Sequence, residues 1–350
     1  MTAYALPEAT RLRLETLVDQ IEAAPGRLVE MSEIEEIKDP NGVLQSLPDG
    51  ISEDDFIGIL KLAMLTECAT DVYAYEITSR ARQYDAGWLE RFNENVWKPD
   101  EYTHAEPFKR ILMGLGFDEA ELDREMAETQ EREFEHYGGD TPVHVSTFGM
   151  IQEYLTDHWH GLISNLLKPA LPQAARMTAR IKQRETLHTI WYRDFTAIQV
   201  EANPAFINDV AMQLAHFRLP GNSLVPHLQP HAERWLPLMG ADMNRVVREL
   251  SRLLLSTVGT PDRFGKMVFD MADWKGVGFG PLKPHHFDLA MRRFGDWGYG
   301  LVGEAILERT GLDYLYKRLE APGSHGPVAR ARAIVRTWLA KQVPISLVTA

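Results

Sequence analysis

The sequence predicts an all-α chain: a four-helix bundle with additional surrounding helices. Three observations carry this expectation. Apolar residues recur at three- and four-residue spacing through long segments, the pattern of helices that bury a face. No run of alternating β-branched residues is long enough to argue for a sheet. Four of the long segments carry a carboxylate, and in two of them a histidine follows three residues later.

Taken in order, residues 8–24 place Leu12, Leu14, Leu17, Val18 and Ile21 at helical spacing, and Pro25-Gly26 ends the element. Residues 26–50 are polar, with turns at Pro40-Asn41-Gly42 and Pro48-Asp49-Gly50, so residues 1–50 read as an N-terminal helix and a connecting arm. Residues 51–205 read as the bundle. Its first helix is expected from Glu53 to Arg82, with Ser52 as N-cap and three acids in the first turn, where the helix dipole favours them. Glu67 stands in the middle of the apolar run. Pro99 is expected in the first turn of a second helix, because its missing N–H has no intrahelical partner there. That puts Glu101 near the helix start and His104 one turn on, with Gly114-Leu115-Gly116 closing the helix. Residues 118–136 are strongly charged and read as a solvated helix. Thr141-Pro142 reads as N-cap and N1 of a helix reaching Leu167, which Pro169 and Pro172 interrupt. A last bundle helix covers Gln173–Glu201, stopped by Asn203-Pro204. Residues 206–350 read as a C-terminal helical part packed on the bundle, the whole forming one domain. The stretch Gly276–Pro281 superficially resembles a phosphate loop but lacks a preceding strand and the full spacing, so it reads as an ordinary loop.

Composition narrows the function. Of 350 residues, 45% are hydrophobic, enough for a sizeable core. The net charge of -13 argues against non-specific nucleic-acid binding, which needs a basic footprint. Cys68 is the single cysteine, so no internal disulfide framework exists and a reducing compartment is expected. No basic-then-apolar leader opens the sequence, and no apolar stretch approaches a membrane span. The expectation is a soluble, cytoplasmic protein without membrane insertion.

The chemistry lies in Glu101-Tyr102-Thr103-His104 and Glu185-Thr186-Leu187-His188. Residues three apart share a helix face, so each pair can aim a carboxylate and an imidazole at one point. One such pair is common on helix surfaces. Two pairs, plus one Glu from each of two other helices, make the ligand set of a di-iron carboxylate site in a four-helix bundle. Glu67 and Glu153 supply the other two carboxylates. Glu76 is the rival to Glu67, but its neighbours Thr78, Ser79 and Arg80 are more polar. A buried, unpaired Glu67 would cost several kcal/mol, which a metal, a buried Arg or a proton would relieve.

At these positions the sequence resembles the soluble acyl-ACP desaturases of the ferritin-like superfamily. Leu65-Thr66-Glu67 is similar to that family's first ligand helix. Trp97-x-x-Asp100-Glu101-x-x-His104 resembles its second segment, and Gln152-Glu153-x-x-Thr156-x-x-x-His160-Gly161 its third. Glu185-x-x-His188-x-x-x-Tyr192 resembles its last. The likeness covers about residues 52–205.

The resemblance implies six iron ligands, Glu67, Glu101, His104, Glu153, Glu185 and His188, holding two iron ions that use O2. It implies that Thr156 sits on the oxygen side as a catalytic residue, with Trp97, His160 and Tyr192 supporting the ligands. It also implies an acyl chain carried on acyl carrier protein, a ferredoxin-like electron donor and a homodimer. Met, Phe and Leu residues of 52–82 and 173–201 would line an apolar tunnel, and Arg176, Arg180, Lys182 and Arg184 are candidates for a basic docking surface. Two departures stand out. The family has an acid before the last Glu, orienting an imidazole of the other pair, where this chain has Arg184. Asp157, Asp100 or a backbone carbonyl must then serve. Cys68 also lies beside a ligand. Two other readings stay open: a different di-iron oxygenase, such as a hydroxylase or N-oxygenase of a specialised pathway, and a non-catalytic helical protein. Chain length, double-bond position and the choice between carrier protein and coenzyme A are not encoded in these motifs.

Overall fold

The computed structural model describes residues 4–26, 34–134 and 138–274, and these are helices, turns and connecting loops with no strand among them. The loop at Gly276–Pro281 lies outside the described residues. No described helix is long and apolar enough to cross a membrane. The chain divides into two compact units, Met1–Ala241 and Asp242–Ala350, so residues 206–241 belong with the bundle.

In the first unit, α1 (Glu8–Ala23) buries Leu14, Val18 and Ile21, the residues that share its apolar stripe. Tyr4 donates to Gln199 and Arg13 pairs with Glu201, tying the N-terminal segment to the far end of the last long helix. The short α2 (Pro40–Gln45) is capped by Asp39, whose side chain accepts from the Gly42 N–H. α3 (Glu53–Glu67) begins with a capping box, Ser52 and Asp55 each accepting from the other's backbone N–H. Asp55 also accepts from Trp235 Nε1 (2.9 Å) and pairs with Arg234, which fastens α13 (Ala232–Leu238) to the start of α3.

The expected single helix from Glu53 to Arg82 is two. α3 stops at Glu67, and α4 (Thr70–Gln83) follows after Cys68 and Ala69. The Thr70 hydroxyl donates to the Glu67 carbonyl at 3.0 Å, a local hydrogen bond that competes with the helix ladder at the break. A second departure surrounds Pro99. The chain is already helical before it: α5 (Gly87–Phe92) runs into a π-helical turn, Asn93–Trp97, and then α6 (Lys98–Glu101). A proline inside a helix lacks its N–H and crowds the carbonyl four residues back. The wide turn, in which the Lys98 N–H reaches the Asn93 carbonyl, accommodates it. Asn93 is fully buried, and its amide donates to Ala74 O and Thr78 Oγ1, which anchors the turn against α4. After Glu101 the chain tightens, with His104 N–H bonding to Glu101 O, before α7 (Ala105–Gly114). Glu101 therefore closes a short helix and His104 opens the next.

α8 (Glu119–Gln130) is the charged segment, largely solvated, with Leu122 and Thr129 buried. α9 (Pro142–Leu167) and α10 (Pro172–Ala202) follow the expected bounds closely. Their connection is four residues, so they pack antiparallel along their length. Ser164 bonds Ala175 at the turn, Thr186 bonds Asp157 midway, and Thr196 and Gln199 bond Ser146 at the far end. α11 (Ile207–His216) packs back on α9, and α12 (Gly221–Leu224) packs on α3. In the second unit, α14 (Met243–Val258) and α15 (Pro261–Trp274) are amphipathic and pack on each other, joined through Gly259.

Candidate metal centre

The four carboxylates and two imidazoles singled out from the sequence converge inside the first unit. Glu67 comes from the last residue of α3, Glu101 and His104 from either side of the tightened turn, Glu153 from α9, and Glu185 and His188 from α10. All six are buried, His104, Glu185 and His188 completely. Two groups of four form, each with ligand atoms within 4.8 Å of one another: Glu67, Glu101, His104 and Glu185, and Glu101, Glu153, Glu185 and His188. Glu101 and Glu185 belong to both.

The distances show how the groups interlock. His104 Nδ1 lies 2.9 Å from Glu185 Oε1, 3.4 Å from Glu101 Oε2 and 3.8 Å from Glu67 Oε2. His188 Nδ1 lies 2.9 Å from Glu101 Oε1, 3.5 Å from Glu185 Oε2 and 3.9 Å from Glu153 Oε2. Both imidazoles thus present Nδ1 to the carboxylates. Neither Nδ1, nor Glu101 Oε1, nor either oxygen of Glu185 has a properly aligned hydrogen bond. Close approach without hydrogen-bond alignment is how ligand atoms stand when they face a common centre. Hard carboxylate oxygens with imidazole nitrogens suit a transition-metal ion, and these residues could hold one.

Surrounding side chains fix the ligands. His160 Nε2 donates to Glu67 Oε1 at 2.9 Å, and Trp97 Nε1 donates to Glu153 Oε1 at 2.9 Å. His188 Nε2 donates to Asp100 Oδ2 at 2.9 Å, which leaves Nδ1 as the free lone pair. His104 Nε2 is 3.7 Å from the other oxygen of Asp100. Asp100, wholly buried, thus stands between the two imidazoles, and it is paired in turn with Arg184 Nε. Of the partners open on sequence grounds, Asp100 serves His188, while His104 Nε2 has no aligned hydrogen bond among the described residues. Asp157 bonds Thr186 and pairs with Lys182 instead. Arg184 is buried, its guanidinium 5.8 Å over Trp191, so it is not part of an exposed docking surface. Gly26, at φ +85°, lies against it: a Cβ there would come within 2.0 Å of Arg184 Nη1. Gly26 therefore covers the Arg184 guanidinium. Cys68 is turned away from the carboxylates, its thiol donating to Leu65 O, and burial together with Glu67 pushes it up to about 12.

Burial opposes every charge here, and the neighbours decide the outcome. For Glu67 the nearby His104 imidazole and the hydrogen bond from His160 overcome burial and hold the carboxyl at about 2. For His104 and His188 burial is likewise overcome, by Glu101 and Glu185 at the first and by Asp100 and Glu101 at the second, so both are raised well above an ordinary histidine. Glu185 is raised well above an ordinary carboxyl by burial and by Glu101 and Glu153. Without a cation, the cluster neutralises itself with protons.

A narrow cavity opens over the carboxylates. Glu67, Glu101 and Glu153 line it, together with the buried Trp97, Gly149 and Tyr192. The apolar walls are Tyr73, Ile77, Phe134, Val145 and Phe148, from α4, α9 and the loop after α8. The 52–82 segment thus contributes as expected, but through Tyr73 and Ile77 rather than Met, Phe or Leu, and of 173–201 Tyr192 is the lining residue. Glu76, the rival ligand, lies at the rim, paired with Arg80 at 3.0 Å. Thr156 lines the cavity too, but its hydroxyl is engaged, donating to Gln152 O and accepting from Gln152 Nε2. Gly149 had no visible signal in the sequence. Its place is set by Tyr192, whose ring would lie 2.7–2.8 Å from any Cβ at that position.

No family model matches the chain, and no curated protein is significantly similar to it. The likeness to desaturases rests on the four short motifs alone.

Proposed function

We propose that this protein is an oxygen-dependent di-iron oxidoreductase that introduces a double bond into an acyl chain held on acyl carrier protein. The observation that carries the reading is the pair of interlocking ligand groups sharing Glu101 and Glu185, opening onto a cavity with apolar walls. Two iron ions bound there would supply dioxygen activation. The net reaction removes two hydrogens from adjacent methylenes and, with two electrons from a ferredoxin-like donor and two protons, reduces O2 to two waters. The chain's own residues have definable parts. Glu67, Glu101, His104 and Glu185 would hold one ion and Glu101, Glu153, Glu185 and His188 the other. Trp97, His160 and Asp100 orient Glu153, Glu67 and His188. The walls of the cavity keep water from the reacting carbon, and Thr156 can turn its O–H from the Gln152 carbonyl to a group on the cavity side.

The test has two arms. Protein reconstituted anaerobically with Fe(II) should hold about two iron ions per chain, and Glu101→Ala with Glu185→Ala should lose both. The reconstituted protein, given ferredoxin, its reductase, O2 and acyl carrier proteins of several chain lengths, should yield an unsaturated product by mass analysis. Iron without unsaturation from any carrier would move the reading to a second one, a di-iron oxygenase acting on a compact polar substrate. The polar rim of the cavity, Glu76 with Arg80, favours that alternative. Iron content unchanged by the double substitution would remove both.

A further inference from the structure

Besides Glu101 Oε1 of the ligand cluster, two polar atoms at the cavity have no hydrogen-bond partner among the described residues. One is the hydroxyl of Tyr192, a residue with no exposed surface. The other is Gln152 Oε1. Gln152 is assigned that way round by its neighbour: the Thr156 hydroxyl gives its proton to Gln152 O, so it must accept from the amide NH2, leaving the amide oxygen unused. Both residues line the cavity, one from α10 and one from α9 beside Glu153. A buried donor or acceptor left unpaired costs more than a typical hydrogen bond gains, so such atoms are matched by something that binds.

The Tyr192 ring is held firmly. It sits on the bare backbone of Gly149, and Phe92 meets it edge-on at 5.3 Å. Its hydroxyl cannot swing to another partner without moving that packing. Donor and acceptor thus both border the cavity that Tyr73, Ile77, Phe134, Val145 and Phe148 wall on the apolar side.

We propose that Tyr192 and Gln152 together read a hydroxyl group on the substrate chain, Tyr192 donating to its oxygen and Gln152 accepting its proton. The substrate class is then an acyl chain already hydroxylated near the carbon to be oxidised, rather than a plain hydrocarbon chain. The reaction that supplies it must be one that leaves a secondary alcohol on the chain. This inference rests on the reading of the cavity as the substrate site.

The probe is a set of octanoyl N-acetylcysteamine thioesters, unsubstituted or bearing one hydroxyl walked along the chain. They are titrated by calorimetry into protein loaded with Zn(II), which accepts imidazole and carboxylate ligands and has no redox chemistry. One hydroxylated isomer should bind at least about tenfold tighter than the unsubstituted probe, about 1.4 kcal/mol. Tyr192→Phe and Gln152→Leu should each bring that preference to within about twofold while the unsubstituted probe binds as before. Tyr192→Phe removes only an unpartnered hydroxyl and leaves the fold intact, which a melting curve checks. Equal binding of all probes, or a preference that survives both substitutions, overturns the inference and leaves the cavity reading standing. Failure of every probe to bind, the unsubstituted one included, overturns the cavity reading and the inference with it.

Discussion

Replacing Arg184 by methionine should destabilise the metal-free protein strongly. The Arg184 side chain is 5% exposed and that of Asp100 0%, so the pair is fully desolvated. Methionine preserves the unbranched stem but removes the charge. Breaking a buried pair by removing one partner costs about 3–5 kcal/mol, because the other charge is left uncompensated. Asp100 keeps the N–H of His188 at 2.9 Å, which places the expected loss near the lower end, about 3 kcal/mol. Adding Asp100→Asn removes the orphaned charge while still accepting from His188. The double variant should then lose only about 1–2 kcal/mol, the worth of the hydrogen bonds gone. Urea unfolding in the presence of a chelator measures both, and Trp191, 5.8 Å from the guanidinium, provides a local fluorescence signal. A single variant losing less than about 1 kcal/mol, or a double variant losing more than the single, would refute the view that Arg184 exists to neutralise Asp100.

Three further expectations follow from the same cluster. Glu185→Gln mimics a carboxyl that burial and Glu101 already keep protonated in the metal-free protein, so stability should change by less than about 1 kcal/mol. Metal content should nevertheless collapse, since Glu185 belongs to both ligand groups; retained metal by elemental analysis would contradict this. His104 and His188 have folded values raised above the unfolded one, so their stabilising contribution is complete below about pH 6.5 and is lost as pH rises through the raised values. The metal-free urea midpoint should therefore fall from pH 6 to pH 8.5, whereas metal affinity, which requires deprotonated ligands, should rise; a metal-free midpoint that climbs would be inconsistent with the cluster. Gly149→Ala should cost about 1–3 kcal/mol by forcing the Tyr192 ring off its seat, and Tyr192→Leu in the same chain should recover most of it, as read by thermal melting.

Much of the helical plan was legible because its signals are local. Thr141-Pro142 at the start of α9, the prolines that separate α9 from α10, and Asn203-Pro204 at the end of α10 act within a turn or two, through φ restriction and missing N–H groups. The Glu-x-x-His spacing is equally local, since a helix places residues three apart on one face whatever surrounds it. The break after Glu67 was not legible, because a continuous apolar run has the same appearance whether or not a threonine hydroxyl captures a carbonyl within it. Pro99 does fall in the first turn of a helix, α6, but the π-helical turn before it and the stop at Glu101 were not legible for a related reason. A proline is tolerated at a helix start or inside a distorted helix, and the choice depended on Asn93 being locked against α4.

By itself, the sequence determined the all-α class, the chain order of the carboxylates and imidazoles, and the helices that carry them, all consequences of spacing along one chain. Only the tertiary structure decided that Glu101 and Glu185 are shared between two groups, that Arg184 turns inward to cover Asp100, and that α9 and the loop after α8 complete the cavity wall. These are contacts between residues tens of positions apart. Burial changes what such side chains do: an arginine that a sequence reads as surface charge becomes, once desolvated beside a carboxylate, the counter-ion of the site.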